Sequence, residues 1–341
     1  MSDKTNNQRI PVCVISGFLG SGKTTLLNHM LNGDHGLNIT VLVNDFGAIN
    51  IDKQLLEKQD ASSISLSNGC ICCSMQSDLV DELLAQLYRP DGPPEYIVIE
   101  SSGVSDPLKI INTLHYPQLR ECFQIDTVLT LLDVQSINGL QGQPKQLAMA
   151  QLDAADIIVI NKTDCVSSEQ LSAIRKDWLY PSAKIIETSY ARVPMELIFG
   201  KFLVNQFSAE QKVGDLKVVR SHNKSDENKS IFSINSSSKQ FTIDHSQVFQ
   251  SWSWRSDEAV CLDKLRAAIS QLSEQVYRAK GIFFEKTTAQ QRVILQLVGN
   301  RQQWSRDNCN QEKTVNQLVI IGAANSLDKQ QLQAVFDACI A

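Results

Sequence analysis

Short apolar runs alternate with longer amphipathic stretches through the first 200 residues. The runs are continuous over four to six positions, which is typical of strands buried on both faces of a parallel sheet. They occupy 12–15, 39–43, 96–99, 127–132 and 157–160. The spacing of apolar residues between several of them predicts helices, for example over 78–87 and 169–178. This order predicts a doubly wound α/β domain with a mostly parallel sheet.

The second part of the chain has a different pattern and follows a polar stretch without periodicity at 221–230. We expect a first domain at 8–203, a linker or exposed loop at 204–230, and a smaller α+β domain at 231–341. Its predicted elements are a strand at 247–254, a helix at 258–275, strands at 276–285, 291–298 and 317–322, and a helix at 328–340.

Length and charge agree with two domains. The 341 residues suggest two units at about 150 residues per domain. Residues 1–200 contain 14 basic and 23 acidic side chains, whereas the remainder contains 18 and 14. Neither part has a dense Lys/Arg stripe, so we expect no nucleic acid partner.

No apolar stretch approaches the roughly 18 residues of a membrane span, and the first residues lack a secretion signal, so we expect a cytoplasmic protein without a membrane partner.

The nine cysteines do not suggest a disulfide framework, because their number is odd and the chain looks cytosolic. Six are isolated, and we expect them to be small buried residues. These are Cys13, Cys122, Cys165, Cys261, Cys309 and Cys339. The other three, Cys70, Cys72 and Cys73, form a cluster that needs a separate explanation.

A phosphate-binding loop follows the first predicted strand. Residues 17–25 read G-F-L-G-S-G-K-T-T, which fits G-x-x-x-x-G-K-[ST], and they lead into a predicted helix. Backbone N–H groups and the helix N-terminus would bind the phosphates, Lys23 would reach the β and γ phosphates, and Thr24 can ligate Mg²⁺. A chance glycine-rich turn is the alternative.

Polar residues also follow three other predicted strands. The segment 161–164 reads N-K-T-D, in which the Asp164 carboxylate would accept two N–H donors of guanine, although such residues also form ordinary turns. Glu100 ends another strand and could hold Mg²⁺, position water or merely cap a turn, and the Gly103 N–H could sense the γ-phosphate. Asp45 is the other acidic candidate for Mg²⁺ or the attacking water. The sequence pattern does not decide which of Asp45 and Glu100 binds Mg²⁺ and which positions the attacking water.

The cysteine cluster lies in N-G-C-I-C-C-S at 68–74. Closely spaced thiolates suit Zn²⁺ or Cu(I), and a helix starting near Ser77 would lower the thiol pKa. Three thiolates leave a fourth ligand position for water, a side chain or a partner. A redox dithiol and buried cysteines are the alternatives.

Taken in order, the five motifs G-F-L-G-S-G-K-T-T, N-D-F-G, N-G-C-I-C-C, E-S-S-G and N-K-T-D resemble the CobW-type metal-trafficking P-loop GTPases, in particular the YeiR-like zinc-binding GTPases. The resemblance covers 10–190. It extends more weakly to the second domain, where Y-R-A-K-G at 277–281 is similar to the R-x-K-G of the family's C-terminal domain.

The resemblance implies a GTP hydrolase that binds Zn²⁺ through Cys70, Cys72 and Cys73, uses Mg²⁺ with GTP, and delivers metal to a client metalloprotein. The candidate nucleotide-binding residues are Gly17, Gly20, Ser21, Gly22, Lys23, Thr24, Thr25, Gly103, Asn161, Lys162 and Asp164. The candidate catalytic residues are Lys23, Thr24, Asp45 and Glu100.

Two features depart from the family pattern. Val43 and Ala48 replace acidic residues that flank the second strand in many members, and the His-rich tract of some relatives is missing. His222 and His245 are isolated, which favours surface or hydrogen-bonded histidines over metal ligands.

Three alternative functions remain open from the sequence. They are a P-loop small-molecule kinase, a dithiol redox protein, and a nucleic acid module in the second domain based on Trp252 and Trp254. The alternating tryptophans are more typical of one buried strand face. The sequence leaves a homo-oligomer open and does not identify the client.

Overall fold

The computed structural model describes residues 9–33, 36–43, 63–65, 74–199, 249–272, 276–285, 291–308 and 315–341. Asp45, the cysteine cluster, the two isolated histidines and the predicted linker therefore lie outside the described residues. The domain boundaries proposed from the sequence fall in or beside the same segments, so they stay a prediction.

The first part of the chain contains a seven-stranded parallel sheet with helices between the strands. Its strands are β1 (Ile10–Gly17), β2 (Ile39–Val43), β3 (Ser63–Ser65), β4 (Tyr96–Glu100), β5 (Phe123–Asp133), β6 (Ile157–Asn161) and β7 (Ile185–Glu187). Its helices are α1 (Lys23–Asn32), α2 (Ser74–Leu87), α3 (Pro107–Leu114), α4 (Pro117–Arg120), α5 (Gly142–Asp153), α6 (Ser168–Trp178) and α7 (Met195–Ile198).

The sheet order is β3-β2-β4-β1-β5-β6-β7, and every described strand pair in it is parallel. Alternate residues of each central strand enter different clusters, for example Cys13 and Ile15 on one face and Val12 and Val14 on the other. Burial of both faces explains why these strands are continuous apolar runs. The parallel α/β prediction is confirmed.

The second part contains a five-stranded antiparallel sheet of order β11-β10-β9-β12-β8. Its elements are β8 (Phe249–Ser256), α8 (Leu262–Leu272), β9 (Val276–Phe284), β10 (Gln291–Val298), β11 (Arg301–Asn308), β12 (Asn316–Ala323) and α9 (Lys329–Asp337). The predicted α+β class is confirmed. Trp252 and Trp254 are both buried and pack near Phe336 of α9, as expected for one buried strand face.

Several sequence predictions for the second part need correction. The helix predicted from 258 begins at Leu262, and the final helix spans Lys329–Asp337, with Asp328 as its N-cap accepting from two backbone N–H groups. Strand β11 was not predicted. Its sequence R-Q-Q-W-S-R-D-N has one apolar residue, and its extended form comes from eight residue pairs with β10.

The cysteine prediction is partly wrong. Cys13 and Cys339 are buried, whereas Cys122 and Cys261 are half-buried and Cys165 is exposed. These five are free thiols. Cys309 lies outside the described residues.

The apolar core of the parallel sheet continues into the second sheet. Val298, Val319 and Ile321 belong to the same buried cluster as Ile15 and Leu129. A separate cluster fills the space between the second sheet and its helices α8 and α9, and includes Leu265, Leu295 and Phe336. The second sheet therefore buries one face against the first part and the other beneath its own helices.

A buried ion pair joins the two sheets. Arg278 of β9 pairs with Asp126 of β5, and the two side chains are 2% and 3% exposed. The Arg278 guanidinium also donates to Thr127 Oγ1 at 2.7 Å and to the backbone carbonyls of Leu197 at 2.9 Å and Ile198 at 3.1 Å. Every bond connects the R-x-K-G segment to the first part of the chain.

Further contacts fix the same junction. Tyr96 Oη lies 2.7 Å from Asp126 Oδ2, and Arg301 of β11 donates to both Asp156 oxygens at 2.9 and 2.7 Å. Tyr277 Oη donates to the carbonyl of Ile185 at 2.7 Å. These groups lie at the amino ends of β4, β6 and β7 and near that of β5, so the second sheet attaches at the edge opposite to the P-loop.

We predict that Arg278→Met lowers the free energy of unfolding by about 3 to 5 kcal/mol, because it leaves the Asp126 carboxylate buried without its cation. Chemical denaturation measures this. The matched control, Arg292→Met, removes the half-exposed pair with Asp307 and should cost less than about 1 kcal/mol. Adding Asp126→Leu to Arg278→Met should restore part of the loss. Equal costs for the two single variants would contradict the prediction.

The ion pair also predicts a pH dependence. Burial acts to raise the pKa of Asp126, but Arg278, Lys280 and the hydrogen bonds from Tyr96 and Arg278 outweigh it, and the net pKa is lowered. The stabilisation is therefore complete above the unfolded pKa of about 3.9 and is lost as pH falls through the lower folded pKa. The difference in unfolding free energy between the parent and Arg278→Met should narrow in acid. A difference that is constant between pH 7 and acid unfolding would contradict this.

Candidate functional site

The P-loop connects the carboxyl end of β1 to α1. Gly22 adopts φ +104° and immediately precedes the helix, so the first free N–H groups of α1 face the loop. A Cβ at Gly22 would lie 2.4 Å from Nδ2 of Asn161. The glycine is therefore required both by its backbone conformation and by the close approach of the asparagine.

Lys23 lies inside the loop that precedes it. Its Nζ donates to the carbonyl oxygens of Gly17 at 3.0 Å and Phe18 at 3.2 Å, and the residue is 8% exposed. These contacts hold the ammonium group within the curve of the loop. The arrangement fits a cation that serves phosphate oxygens in the same place.

Thr24 in the first turn of α1 and Glu100 at the carboxyl end of β4 bring a hydroxyl and a carboxylate together. Thr24 Oγ1 donates to Glu100 Oε1 at 3.3 Å, and Glu100 is 3% exposed. These are hard oxygen ligands of the kind that Mg²⁺ prefers, with water and phosphate oxygens completing its shell. Within the described ranges, no group of three or more His, Cys, Asp or Glu side chains is arranged to hold a metal ion.

A cavity of about 290 Å³ opens at this edge of the sheet. The residues around it come from the P-loop and the start of α1, from the end of β2, and from the end of β4 with the segment after it. They are Leu19, Gly20, Gly22, Lys23, Thr24, Thr25, Val43, Glu100, Ser101, Ser102 and Gly103. The structure thus brings most of the P-loop candidates together with Glu100 and Gly103. Gly17 and Ser21 lie in the same loop, with Ser21 Oγ beside Gly17.

Asn161 connects the P-loop to two other loops. Its Nδ2 donates to the carbonyl of Ser21 at 2.8 Å, and its Oδ1 accepts from the backbone N–H of Ala191 at 2.8 Å. The side chain is buried, and both ends of its amide are hydrogen-bonded. One residue therefore fixes the distance between the P-loop, the end of β6 and the loop after β7.

The remaining N-K-T-D residues extend from Asn161 towards solvent. Lys162 has φ +63° and its Nζ pairs with Asp133 at 2.7 Å. Asp164 is exposed, and a hydrogen bond from Ser189 lowers the pKa of its carboxyl group. Asp164 is therefore an ionised acceptor at neutral pH, next to the loop that Asn161 also holds.

Three contributors to this site were not identified from the sequence. Asp133 ends β5 and holds Lys162, while Ser189 and Ala191 follow β7 and contact Asp164 and Asn161. Tyr190 and Ala191 both have positive φ, at 60° and 51°, which is strained for residues with a side chain. The available signal was position, since Asp133 ends a strand and Ser189 and Ala191 follow one, all at the carboxyl edge of the sheet.

No helix in the part of the chain that the structure describes is long and apolar enough to cross a membrane.

Comparison with known protein families and proteins identifies relatives for both parts. The family model "CobW/HypB/UreG, nucleotide-binding domain" matches residues 11–186, and the model "Cobalamin synthesis protein cobW C-terminal domain" matches residues 249–340. The first match covers more than half of the chain and includes the P-loop, Glu100 and the N-K-T-D segment.

Similar proteins include the zinc-regulated GTPase metalloprotein activator 1 of Dictyostelium discoideum, which is 35% identical over 254 residues, 62% of this chain and 53% of that protein. The zinc chaperone CobW of a Sinorhizobium species is 27% identical over 369 residues, 99% of each chain. The zinc chaperone YjiA of Escherichia coli is 34% identical over 212 residues, 61% of this chain and 65% of that protein.

The present chain thus spans about half of the Dictyostelium protein and about two thirds of the E. coli protein in these alignments. Among solved structures, Zn(II)-bound YjiA GTPase from E. coli is 22% identical with a TM-score of 0.42, over 98% of this chain and 100% of that chain. On the match to its nucleotide-binding domain, this chain belongs to the CobW/HypB/UreG family, and it carries the CobW C-terminal domain.

Proposed function

We propose that this protein binds GTP with Mg²⁺, hydrolyses it to GDP and phosphate, and delivers Zn²⁺ to a client metalloprotein. The observation that carries the proposal is the side chain of Asn161, which joins the P-loop at Ser21 to the loop after β7 at Ala191. This bridge supports one nucleotide site that extends from the phosphate loop to the N-K-T-D segment. The family membership supports the same conclusion.

The P-loop supplies the phosphate contacts. The free N–H groups at the start of α1 and the partial positive charge of the helix N-terminus would bind the β-phosphate, and Lys23 would neutralise β and γ oxygens. We assign this role to Gly17 and to residues 20–25. The cavity that several of them line contains the space for these groups.

Asp164 supplies the base specificity. Its ionised carboxylate would accept hydrogen bonds from N1–H and the 2-amino group of guanine, whereas adenine offers no such pair of donors. Lys162, held by Asp133 with its backbone at φ +63°, would lie along the base. We therefore expect GTP to be bound in preference to ATP.

Thr24 and Glu100 would hold Mg²⁺. Because Glu100 already accepts a hydrogen bond from Thr24, we assign it to the metal rather than to the attacking water. The ion would supply charge neutralisation between the β and γ phosphates. Asp45, which lies outside the described residues, remains our candidate for positioning water.

Zinc is the proposed cargo, and Cys70, Cys72 and Cys73 are its proposed ligands. The three named relatives are described as zinc-regulated or as zinc chaperones. The cysteine segment connects β3 to α2, and α2 begins at Ser74, directly after Cys73 and earlier than the expected Ser77. A helix N-terminus at this point favours thiolates over thiols.

The position of β3 favours coupling between the metal and the nucleotide. Its carboxyl end is at the same edge of the sheet as the P-loop, three strands from β1 and thus about 14 Å away. Loops after neighbouring strands at this edge can respond together when nucleotide orders one of them. We propose that GTP binding orders the cysteine segment between β3 and α2 and that hydrolysis releases this order.

Two further observations bear on the compartment and on the rival functions. Five free cysteines in the described residues are consistent with the reducing cytoplasm, where we propose that the protein acts. Family membership supports the GTPase over the small-molecule kinase and the dithiol redox protein. A homo-oligomer remains a proposal.

We predict that Asp164→Asn lowers GTP affinity by at least about tenfold and raises affinity for xanthosine triphosphate. Asparagine can donate to the 2-carbonyl of xanthine but cannot accept two guanine donors at once. Nucleotide titration by calorimetry measures both constants. The matched control is Glu169→Gln, which neutralises an exposed carboxylate on α6 and should change neither affinity. Unchanged GTP binding by Asp164→Asn would contradict guanine recognition by this residue.

We predict that replacing Cys70, Cys72 and Cys73 together by serine removes bound Zn²⁺ and abolishes the effect of zinc on GTP turnover. Cys261→Ser, which changes a half-buried cysteine of the second part of the chain, outside the cluster, should leave both intact. Metal analysis and phosphate release measure the two properties.

In the parent, a non-hydrolysable GTP analogue and Zn²⁺ should change each other's affinity by the same factor. Affinities that are independent of the other ligand would rule out the coupling.

A further inference from the structure

Gln151 of α5 reaches the segment after β4 from the side opposite to the P-loop. Its Nε2 donates to the backbone carbonyl of Ser105 at 3.0 Å and to that of Gly103 at 3.3 Å. Because both partners are carbonyl oxygens, the amide must present its NH₂ group to them. The orientation of this side chain is therefore defined by its partners.

The helix backbone anchors Gln151. Its own carbonyl accepts a hydrogen bond from Thr130 Oγ1 of β5 at 2.8 Å, and the residue is 1% exposed. The position of the side-chain amide is thus set by the packing of α5 against the sheet. A rigid element holds one side of the segment.

The P-loop limits the segment on its other side. A Cβ at Gly103 would lie 2.8 Å from the backbone nitrogen of Leu19 and 3.0 Å from its Cα, so Gly103 packs directly against the P-loop backbone. Between these supports, Ser105 N–H and Oγ both donate to the carbonyl of Ser102, at 3.1 and 2.9 Å. The 102–105 turn is held from within and from both sides.

Packing alone does not explain a glutamine at this position, because an apolar side chain would be buried there at a lower cost in free energy. Its Oε1 is buried and has no hydrogen-bond partner among the described residues, a state that costs free energy relative to an apolar side chain of similar volume. What glutamine gains there is the pair of hydrogen bonds to Gly103 and Ser105. These two hydrogen bonds therefore explain why the position is occupied by glutamine.

We propose that Gln151 is a positioning residue that lets the protein distinguish GTP from GDP. This inference rests on the proposed function, in which the Gly103 N–H senses the γ-phosphate. The Gly103 N–H shares its peptide plane with the Ser102 carbonyl, which Ser105 holds. By holding the carbonyls of Ser105 and Gly103, Gln151 fixes this turn against the P-loop and so the direction of that N–H. GDP has no γ-phosphate and does not depend on this contact.

The test compares two buried glutamines. Gln151→Met keeps an unbranched side chain of the same length but removes the donor. Gln86→Met is the matched control, since Gln86 of α2 is also buried, at 2% exposed. Its amide bonds Glu82 and Arg89 instead of groups at the carboxyl edge of the parallel sheet. Affinities for GDP and for a non-hydrolysable GTP analogue are measured by calorimetry, with thermal unfolding recorded for each variant.

Gln151→Met should weaken binding of the GTP analogue about tenfold, as expected from losing two neutral hydrogen bonds, and change GDP affinity by less than about twofold. Its kcat should fall as well. Gln86→Met should leave the ratio of the two affinities unchanged. If Gln151→Met does not fold, Gln151→Asn, which keeps the amide but is too short to reach both carbonyls, should show the same selective loss.

Three results would overturn the inference. Equal weakening of GDP and GTP analogue binding would show a general structural role, and unchanged affinities for both nucleotides in a folded Gln151 variant would show that the contact does not matter. The same selective loss in Gln86→Met would show that any buried glutamine has this effect. Failure of the parent to bind either nucleotide is distinguishable from these, because it overturns the proposed function itself and this inference with it.

Discussion

The arrangement of the two sheets depends on one desolvated charge pair. Arg278 and Asp126 are almost completely buried, and such ions are tolerated only when each has a counter-charge and further hydrogen bonds. Asp126 has Tyr96, and Arg278 has Thr127 and the carbonyls of Leu197 and Ile198. This network fixes the C-terminal sheet at the amino edge of the parallel strands and leaves the carboxyl edge open for ligands.

The open edge is organised by side chains that cross between loops. Asn161, at the end of β6, joins the P-loop to the loop after β7 through one amide, and Gln151 holds the Gly103 turn against the P-loop from the opposite side. In both residues the amide is buried and its hydrogen bonds connect segments far apart in sequence. The site is therefore built by tertiary contacts of two amides on top of the geometry that a parallel sheet provides.

The sequence predicted those parts of the structure that depend on local chemistry. The P-loop, the parallel strands and the buried face of Trp252 and Trp254 follow from glycine spacing, continuous apolar runs and alternation. Strand β11 could not be predicted, because its polar residues become extended through pairing with β10. Asn161 could be predicted to lie at the same sheet edge as the P-loop, but not to bond Ser21 and Ala191, since neither partner is visible without the fold. The roles of Ser189 and Gln151 were hidden for the same reason.

The long separation within the Arg278–Asp126 pair has a consequence for biosynthesis. The two residues are 152 positions apart, so on the ribosome Asp126 is made roughly 8 to 30 s before its cation, at about 5 to 20 residues per second. During that interval Asp126 lacks its counter-charge, so the burial of this end of β5 as an ion pair awaits Arg278. The buried junction between the two sheets is therefore completed only after the C-terminal sheet has emerged and docked.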